Sequence, residues 1–451
     1  MHRNVYPRRR FLIQTGSAAA AALLLPVRGR TAPVGAEIDA ASEAALTELW
    51  RRWVTADHGT VIAYAALDGQ VILPTAEDCA AARPNGMSWC TPISDGPLTG
   101  GLLLDGLCLR WNARRSRETA AQARQIARGL VALGRAGRTP GFVARGFAAD
   151  GRGFYPASSE DQVMPWVYGL WRYARSELPE PGERREIVAL LEGCVRALEA
   201  HAWQVPCEPR SFGYRGNFIR AKHKDTTRIL FLNRALHELT GRTVWMDNYR
   251  RLAKERIGPE QRTRIEWCAE GMEFVNSTAE VIPTKETASV SRSLWTSSLA
   301  QAALRGLWEL ETDPGWRRDY ARGLSRNAHA ARPHLAPVRE HAAEPPLVFD
   351  GDWRTLNTTW RAQVNCDEAI VLGRSQLPLW EQRNPRLRWE DNTVREPLFA
   401  AWIMALGSST EDREGLEEQT REMLARFRWP TLFTSGFAIV VNLRHQLAVT
   451  G

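Results

Sequence analysis

The chain has 451 residues and a formal net charge of +8 at pH 7, and this length suits one large domain or several smaller ones. Six of the positive charges are arginines within residues 1–36, a stretch without an acidic residue, so the remainder has a net charge of only +2. This balance argues against a nucleic-acid partner. The seven cysteines form no C-x-x-C pair and no histidine stands at zinc spacing, so we expect no metal and no other cofactor.

The N-terminal segment predicts export. Residues 8–12 form an R-R-x-F-L pattern that resembles a bacterial twin-arginine signal. An apolar stretch too short to span a bilayer follows, and small residues precede Glu37, as in a cleavable signal peptide. We therefore expect residues 1–36 to be removed and the mature protein to be periplasmic or secreted. The mature protein should have no membrane span, because no second long apolar run exists. The alternative is a disordered basic tail followed by an apolar helix.

The next elements in chain order are one helix and two hairpins. Apolar residues at helical spacing predict a helix at 42–56. Asp-Gly pairs lie between alternating or apolar runs at 60–75 and 141–156, which is typical of tight β-hairpins. Because the second hairpin directly precedes Asp161, we expect it to lie where the following helix begins.

A repeat organises most of the remaining chain. Four polar helix starts are each followed by a long apolar segment, and successive starts are 66, 64 and 66 residues apart. The four starts are Asp95, Asp161, Asp225 and Ser291. An amphipathic segment follows each apolar one, at 119–133, 182–203, 244–257 and 315–331. Segments that are apolar all round predict buried helices, and amphipathic segments predict helices that face solvent.

Three more segments extend this alternation to six helical hairpins. Apolar segments lie at 359–377 and 394–407, an amphipathic segment lies at 413–429, and the early helix at 42–56 is available as the last partner. Hairpins of this kind predict an inner ring of buried helices surrounded by outer ones. An open solenoid of helix pairs would show the same spacing.

This pattern resembles the six-hairpin (α/α) toroid enzymes, which include unsaturated glucuronyl hydrolases, many polysaccharide-active hydrolases and the toroidal domain of several polysaccharide lyases. The resemblance rests on the six hairpins and on aspartates at the starts of inner helices. It implies an all-α fold, one (α/α)6 toroid domain over residues 37–451, with short β-hairpins at one end. In unsaturated glucuronyl hydrolases, carboxylates at such positions carry the chemistry, so the resemblance selects Asp95 and Asp161 as catalytic residues.

Asp161 also fits a structural role. Ser159-x-x-Gln162 matches a capping box, and Pro165 is comfortable only in a first turn, so the helix is expected to begin near Gln162 with Asp161 at its cap. A capping carboxylate accepts hydrogen bonds while ionised, which makes it a poor general acid. Three interpretations of Asp161 stay open: a helix cap first, a base or nucleophile second, and a general acid third. Asp95 and Asp225 share the cap alternative.

Other residues near the predicted helix starts have side chains that sugar recognition uses. Arginine binds a uronate carboxylate with two parallel hydrogen bonds, and indole rings stack on the apolar faces of sugars. The substrate-binding candidates are Trp89, Tyr155, Glu160, Trp166, Arg215, His223, Trp295 and Trp360. For each tryptophan the alternative is an ordinary core position, and for Arg215 and His223 it is a solvated loop.

We therefore expect an exported glycoside hydrolase that acts on oligosaccharides, with uronic acids among their sugars, by carboxylate acid/base catalysis. The first alternative is a polysaccharide lyase, because a Tyr or His base beside an Arg or Asn that neutralises the uronate would serve that reaction. Residues of these types are Tyr155, Tyr214, Arg215, Asn217 and His223. The second alternative is a non-catalytic glycan-binding toroid. Hydrolysis is favoured because acids at this end outnumber such bases, and the pattern predicts no particular oligomeric state.

Overall fold

The computed structural model describes residues 34–272, 294–335 and 344–448, so most of the predicted export signal and Ser291 lie outside the described residues. The fold is mostly helical, and the described residues contain sixteen α-helices and two short β-hairpins. The helices are α1 (Val34–Arg52), α2 (Ala76–Ala80), α3 (Gly96–Arg114), α4 (Arg117–Arg135), α5 (Glu160–Arg175), α6 (Pro181–Ala200), α7 (His223–Thr240), α8 (Thr243–Lys254), α9 (Arg264–Glu270), α10 (Leu294–Leu310), α11 (Pro314–Ala331), α12 (Cys366–Arg383), α13 (Pro385–Glu390), α14 (Glu396–Ala405), α15 (Leu416–Leu424) and α16 (Val440–Leu447). The strands are β1 (Gln204–Pro206), β2 (Tyr214–Asn217), β3 (Arg256–Ile257) and β4 (Arg262–Thr263), and each hairpin is antiparallel.

The alternation of apolar and amphipathic segments is confirmed over much of the chain. Helices α3, α5 and α7 begin at Gly96, Glu160 and His223, close to the predicted starts, and most of their residues are buried. Each is followed by a helix with buried residues on one face only, namely α4, α6 and α8. The pair α10 and α11 continues the same pattern.

The prediction of a buried helix at 359–377 is wrong. The chain there forms a 3-10 turn, Trp353–Thr359, and then α12, whose outer face exposes Val371 and Leu379. The last buried helix is instead α16, in which apolar residues and the buried Asn442 face the interior. An eight-residue helix close to the C-terminus gives too short an apolar run to be recognised by its periodicity.

The β-hairpins predicted at 60–75 and 141–156 do not form. The Asp-Gly pairs make turns, but the flanking residues have other partners: Ala65, for example, donates its N–H to Phe433 O at 2.9 Å. The two hairpins of the described residues are β1–β2 and β3–β4. An Asp-Gly pair therefore fixes the turn here, while tertiary hydrogen bonds decide what flanks it.

Six buried helices contact one another in succession. Helix α3 packs against α5, α5 against α7, α7 against α10, α10 against α14, α14 against α16, and α16 against α3. Helices α4, α6, α8, α11 and α15 each pack against the buried helix that precedes them in the chain. Helices α3 and α5 approach closely because Gly101 and Gly169 face each other there. A Cβ atom on either glycine would overlap the backbone of the neighbouring helix.

One large hydrophobic core lies among these helices. It contains several fully buried tryptophans: Trp53, Trp166, Trp171, Trp245 and Trp402. All seven cysteines are buried and none forms a disulfide. Across the three described ranges, no helix combines the length and the apolar character that crossing a bilayer requires.

Candidate functional site

The starts of neighbouring buried helices are joined by polar contacts. Gln162 of α5 donates from Nε2 to Asp95 Oδ1, just ahead of α3, at 2.7 Å. Arg228 of α7 lies 3.0 Å from Asp161 Oδ1 on α5 and donates to Thr296 O on α10 at 2.9 Å. We call the polar residues at this end of the helices the N-terminal cluster: Asp95, Arg145, Glu160, Asp161, Gln162, Arg215, Arg220, Asp225, Arg228 and Asp391.

Asp95 faces the cluster and does not cap its own helix. It occupies the N-cap position of α3, but its side chain makes no capping hydrogen bond. Its two carboxylate oxygens instead accept hydrogen bonds from Gln162 (2.7 Å) and from the Ser94 hydroxyl (3.0 Å), and a guanidinium nitrogen of Arg145 lies 3.6 Å away. The carboxylate remains 36% exposed, so it is oriented and also accessible.

The capping box predicted at the start of α5 is wrong. The helix begins at Glu160, and the Ser159 side chain makes no capping bond. The Ser159 hydroxyl accepts from Arg145 at 3.0 Å, and Gln162 reaches across to Asp95. Both side chains of the expected box are therefore engaged in tertiary contacts. Asp161 lies in the first turn and is not the cap.

Asp161 is surrounded by positive charge. Arg228, which is fully buried, lies 3.0 Å from its Oδ1 atom. Burial alone would raise the pKa of Asp161, but the charges of Arg228, Lys224 and Arg215 outweigh this effect and hold the pKa below its ordinary value. Asp161 is therefore suited to act as a base, a nucleophile or an anchor for cationic side chains, and is poorly suited to donate a proton.

A second carboxylate pair flanks Asp161. Arg220 donates from Nε to Asp225 at 2.8 Å and from Nη2 to Glu160 at 2.9 Å, which ties α7 to α5. Asp225 is completely buried, and Glu160 is only 4% exposed. Gly216 of β2 lies directly against Glu160, where a Cβ atom would overlap the carboxylate. Asp225 thus anchors Arg220 in the first turn of α7 and is not its cap.

Arg145 holds the loops ahead of α3 and α5 together. It is buried and donates to Ser94 O at 2.8 Å, Ala157 O at 3.2 Å and Ser158 O at 3.3 Å. Backbone carbonyls and Asp95 thus surround a positive charge inside the protein. No sequence pattern indicates this role, because most of the hydrogen-bond acceptors are backbone atoms.

Three substrate-binding candidates are enclosed by protein. Trp166 has no exposed surface and donates its indole N–H to Leu130 O at 2.7 Å. The hydroxyl of Tyr155, also buried, donates to Arg83 O. His223 is bonded through Nδ1 to Trp267 O (3.0 Å) and through Nε2 to Asn327 (3.2 Å), and burial lowers its pKa to about 4. These three rings are enclosed by protein and offer little surface to a ligand.

Glu160 is buried as well, and the remaining four candidates are partly exposed. Trp89 packs on Gly373 of α12, and Trp295 lies beneath the guanidinium of Arg395, 5.2 Å from the ring centre. Trp360 donates its indole N–H to Ala82 O at 3.2 Å and keeps part of its surface free. Arg215 on β2 is half-buried, and its Nε atom has no hydrogen-bond partner. These four side chains are accessible to a ligand.

Several buried polar atoms in and beside the N-terminal cluster have no hydrogen-bond partner, as do others elsewhere in the described residues, such as Asp105 Oδ1 and Asn442 Oδ1. The acceptors in and beside the cluster are Glu160 Oε2 and Gln162 Oε1, the donors are Arg215 Nε, Arg228 Nε and Arg228 Nη1, and the hydroxyl groups are those of Ser158 and Thr226. Most buried polar groups in proteins are paired, because an unpaired one costs free energy. Donors and acceptors of this kind, held side by side, fit a ligand that is itself rich in both.

Asp391 is a cluster residue that was not among the predicted catalytic or substrate-binding residues. It is the first residue of a π-helical turn, Asp391–Arg395, which interrupts the helical segment between α13 and α14. Its carboxylate is 35% exposed and lies 3.0 Å from Arg395. Burial raises the pKa of Asp391, Arg395 opposes the rise, and the neighbouring carboxylate of Asp95 adds to it. Asp391 therefore lies close enough to Asp95 for the two charges to interact.

Within the described ranges, no group of three or more His, Cys, Asp or Glu side chains is placed to hold a metal ion. Compared with family models and with curated protein sequences, the chain gives no match.

Proposed function

We propose that this protein is an exported glycoside hydrolase that acts on oligosaccharides containing uronic acids, and that the N-terminal cluster is its active site. The observation that carries the proposal is the group of unpartnered donors and acceptors that lie beside Asp95 and Asp161. A sugar offers hydroxyl groups that both donate and accept, and a uronate adds a carboxylate.

The order of helix contacts supports a closed (α/α)6 toroid. The six buried helices α3, α5, α7, α10, α14 and α16 contact one another in succession, and α16 returns to α3. Their amphipathic partners lie outside this circuit in the proposed fold. The starts of the buried helices would then surround one opening, as a substrate cleft requires, because a cleft needs side chains from several elements to converge.

Positive charge beside Asp161 fits a uronate. The guanidinium of Arg228 has two unpartnered nitrogens, Arg215 has one, and Lys224 lies close enough to affect Asp161. Guanidinium groups bind carboxylates with directed hydrogen bonds, and a buried one binds more strongly because water does not compete. In this proposal Asp161 holds these cations in place, and Asp95 is the accessible carboxylate beside the scissile bond.

A lyase receives less support. Two of the three residues that the sequence suggested as bases, Tyr155 and His223, are buried and have internal hydrogen-bond partners. The third, Tyr214, is partly exposed, and the guanidinium of Arg210 lies over its ring, 3.8 Å from the ring centre. Burial also holds the pKa of His223 at about 4, so it would be a weak base. A glycan-binding protein without catalysis would use the same polar cluster, and turnover separates the two possibilities.

The test is an activity screen of the mature chain, residues 37–451, on matched oligosaccharides with and without uronic acids. We expect reducing ends to appear only with the uronate-containing set. Asp95→Asn should abolish the reaction, while Asp247→Asn, at an exposed site on α8, should leave it unchanged. A product with a new conjugated double bond would indicate a lyase instead, and saturable binding without any product would indicate a glycan-binding protein.

Export is a separate part of the proposal and rests on the R-R-x-F-L pattern. Fractionation of bacterial cells that express the full chain should place the processed protein outside the cytoplasm. A chain with both Arg8→Lys and Arg9→Lys should accumulate unprocessed in the cytoplasm. Equal processing of both chains would contradict a twin-arginine route.

A further inference from the structure

Two cysteine thiols from distant parts of the chain lie together in a small buried cluster. Cys207 and Cys366 are 0% and 2% exposed and pack in the same group of apolar residues. Their thiols are hydrogen-bonded to each other, and Cys366 Sγ lies 3.9 Å from Met87 Sδ. The other five cysteines belong to other parts of the core. The proposed hydrolase function does not use this pair of thiols.

The two thiols come from different elements of the fold. Cys207 directly follows β1, and its N–H donates to Gly213 O at 2.9 Å, so it belongs to the β1–β2 hairpin. Cys366 is the first residue of α12, and the Asn365 side chain caps this helix by accepting from the N–H of Glu368 at 2.9 Å. Both cysteines are free thiols, so the contact between hairpin and helix is non-covalent in this structure.

The surroundings favour a thiolate at Cys366. The hydrogen bond from Cys207 stabilises the ionised sulfur, and the charges of Arg215 and Arg145 add to this effect, whereas burial and Asp367 oppose it. The balance holds the pKa of Cys366 below its ordinary value, while the same hydrogen bond raises the pKa of Cys207. A helix N-terminus also favours an anionic sulfur. The pair therefore combines a thiolate that can attack an oxidant with a thiol in contact with it.

We propose that Cys366 and Cys207 are a redox-active pair that a hydroperoxide converts to a disulfide. The Cys366 sulfur attacks one oxygen of the peroxide, the O–O bond breaks, and the departing oxygen leaves with the thiol proton as water, so that Cys366 becomes a sulfenic acid. The Cys207 sulfur then attacks the Cys366 sulfur, the S–O bond breaks, and the hydroxide leaves with the Cys207 proton as a second water. Two thiols are oxidised and one peroxide is reduced.

A hydroperoxide suits this site because it is small. Cys366 is almost enclosed, so a bulky disulfide oxidant would have little access to its sulfur. The product joins the β1–β2 hairpin covalently to α12. This hairpin carries Arg215 and Gly216, and Gly216 lies directly against Glu160 of the N-terminal cluster. Oxidation therefore ties this part of the cluster to α12. The inference does not depend on the proposed hydrolase function.

The test treats the folded wild-type protein with hydrogen peroxide, then unfolds it, alkylates the remaining thiols and maps the peptides by mass spectrometry. We expect two of the seven thiols to be lost to a single disulfide, between Cys207 and Cys366, and to be recovered fully with dithiothreitol. Seven intact thiols, a disulfide between any other two cysteines, or oxidation of Met87 in place of the pair would overturn the proposal. This measurement needs no variant.

Two variants separate the roles of the thiols. In Cys207→Ala a sulfenic acid should accumulate at Cys366, and dimedone should label it at least about tenfold more than in wild type, because no second thiol consumes it. In Cys366→Ala, Cys207 should remain unlabelled. Cys194→Ala is the matched control: Cys194 is also buried, but its thiol contacts Gly141 O at 3.9 Å, so this variant should form the disulfide as wild type does. Stronger labelling of Cys207 than of Cys366 in the two variants would overturn the assignment of Cys366 as the attacking thiol.

Discussion

Toward the C-terminal ends of α3, α5 and α10, opposite charges lie against one another, whereas several polar atoms in the first turn of α5 have no hydrogen-bond partner. Arg172 of α5 binds Glu309 with two hydrogen bonds, at 2.6 and 3.1 Å, and lies 3.2 Å from the buried Asp105. We call these three residues the C-terminal network. Arg175 and Arg305 surround Glu309 further, at 3.5 and 3.1 Å.

The pKa values of two buried glutamates, Glu309 and Glu390, are shifted in opposite directions. Burial would raise the pKa of Glu309, but Arg172 and its neighbours reverse the effect and lower it to about 2. Glu390, just ahead of the π-helical turn, is also buried, and burial raises its pKa to about 7 although Phe433 and Thr434 donate hydrogen bonds to it. The charge on Glu309 therefore stabilises the fold, whereas the charge on Glu390 is held against a cost. Such a cost is typical of sites kept for function.

The largest effect is expected at the C-terminal network. Arg172→Met should lower the free energy of unfolding by about 3–5 kcal/mol, because it leaves Asp105 and Glu309 without their shared cation. Urea unfolding followed by circular dichroism measures this change. Arg175→Met is the matched control: its side chain is 33% exposed, and its loss should cost less than about 1 kcal/mol. Equal costs for both variants would show that the C-terminal network is not the stabilising end.

The second prediction is a pH dependence of the unfolding free energy that arises from Glu390. Since its folded pKa of about 7 exceeds its ordinary value of 4.5, the contribution to stability is complete below pH 4.5 and is lost as pH rises through 7. The shift corresponds to about 3 kcal/mol across this window. Glu390→Gln keeps an acceptor for Phe433 and should flatten the profile of unfolding free energy over this range. Glu309→Gln should instead remove a loss of stability that wild type shows as pH falls below 4.5. A wild-type profile that is flat from pH 4.5 to 7 would contradict the assignment to Glu390.

A smaller loss of stability is expected from substitutions in the β1–β2 hairpin, which touches the N-terminal cluster through Gly216. Gly216 has a φ angle of +76° and lies against Glu160, so Gly216→Ala introduces both backbone strain and a clash with the carboxylate. Gly213→Ala in the same hairpin introduces strain alone, because its φ is +95° and no atom lies within 4 Å of the new Cβ. We expect thermal unfolding to show an additional cost of about 1–2 kcal/mol for Gly216→Ala. Equal melting temperatures would show that Glu160 moves away freely.

The starts of the buried helices were largely predictable from the sequence, because a helix that is apolar all round has to be buried whatever surrounds it. The predictions at Asp95, Asp161 and Asp225 place helix starts within two residues of those in α3, α5 and α7. What these acids do was less predictable. An acid or serine before a helix has the same sequence pattern whether it caps that helix or contacts a neighbour, so the capping box at Ser159 failed.

The partners within the cluster depend on topology. Arg228 lies in an apolar run, Arg145 bonds to backbone carbonyls, and Asp391 is far in sequence from Asp95. No local pattern marks any of them, because their roles arise only when distant helix starts come together. The same limit applies to tryptophans, because a tryptophan in the core and one at a binding surface cannot be told apart by residue type.

The smallest expected change in stability tests the distinction between a core tryptophan, Trp166, and a tryptophan at the binding surface, Trp360. Trp166→Phe removes an indole N–H that donates to Leu130 O, and the ring lies against Gly134, where a Cβ would overlap it. We expect a cost of about 1 kcal/mol in unfolding free energy, because one buried hydrogen bond is lost while an aromatic ring still fills most of the space. Affinity for oligosaccharides, measured by calorimetry, should not change. Trp360→Ala should instead weaken sugar binding, because part of its ring is exposed. If Trp166→Phe weakened sugar binding and Trp360→Ala did not, the boundary between the core and the binding surface would lie deeper in the helices than the N-terminal cluster.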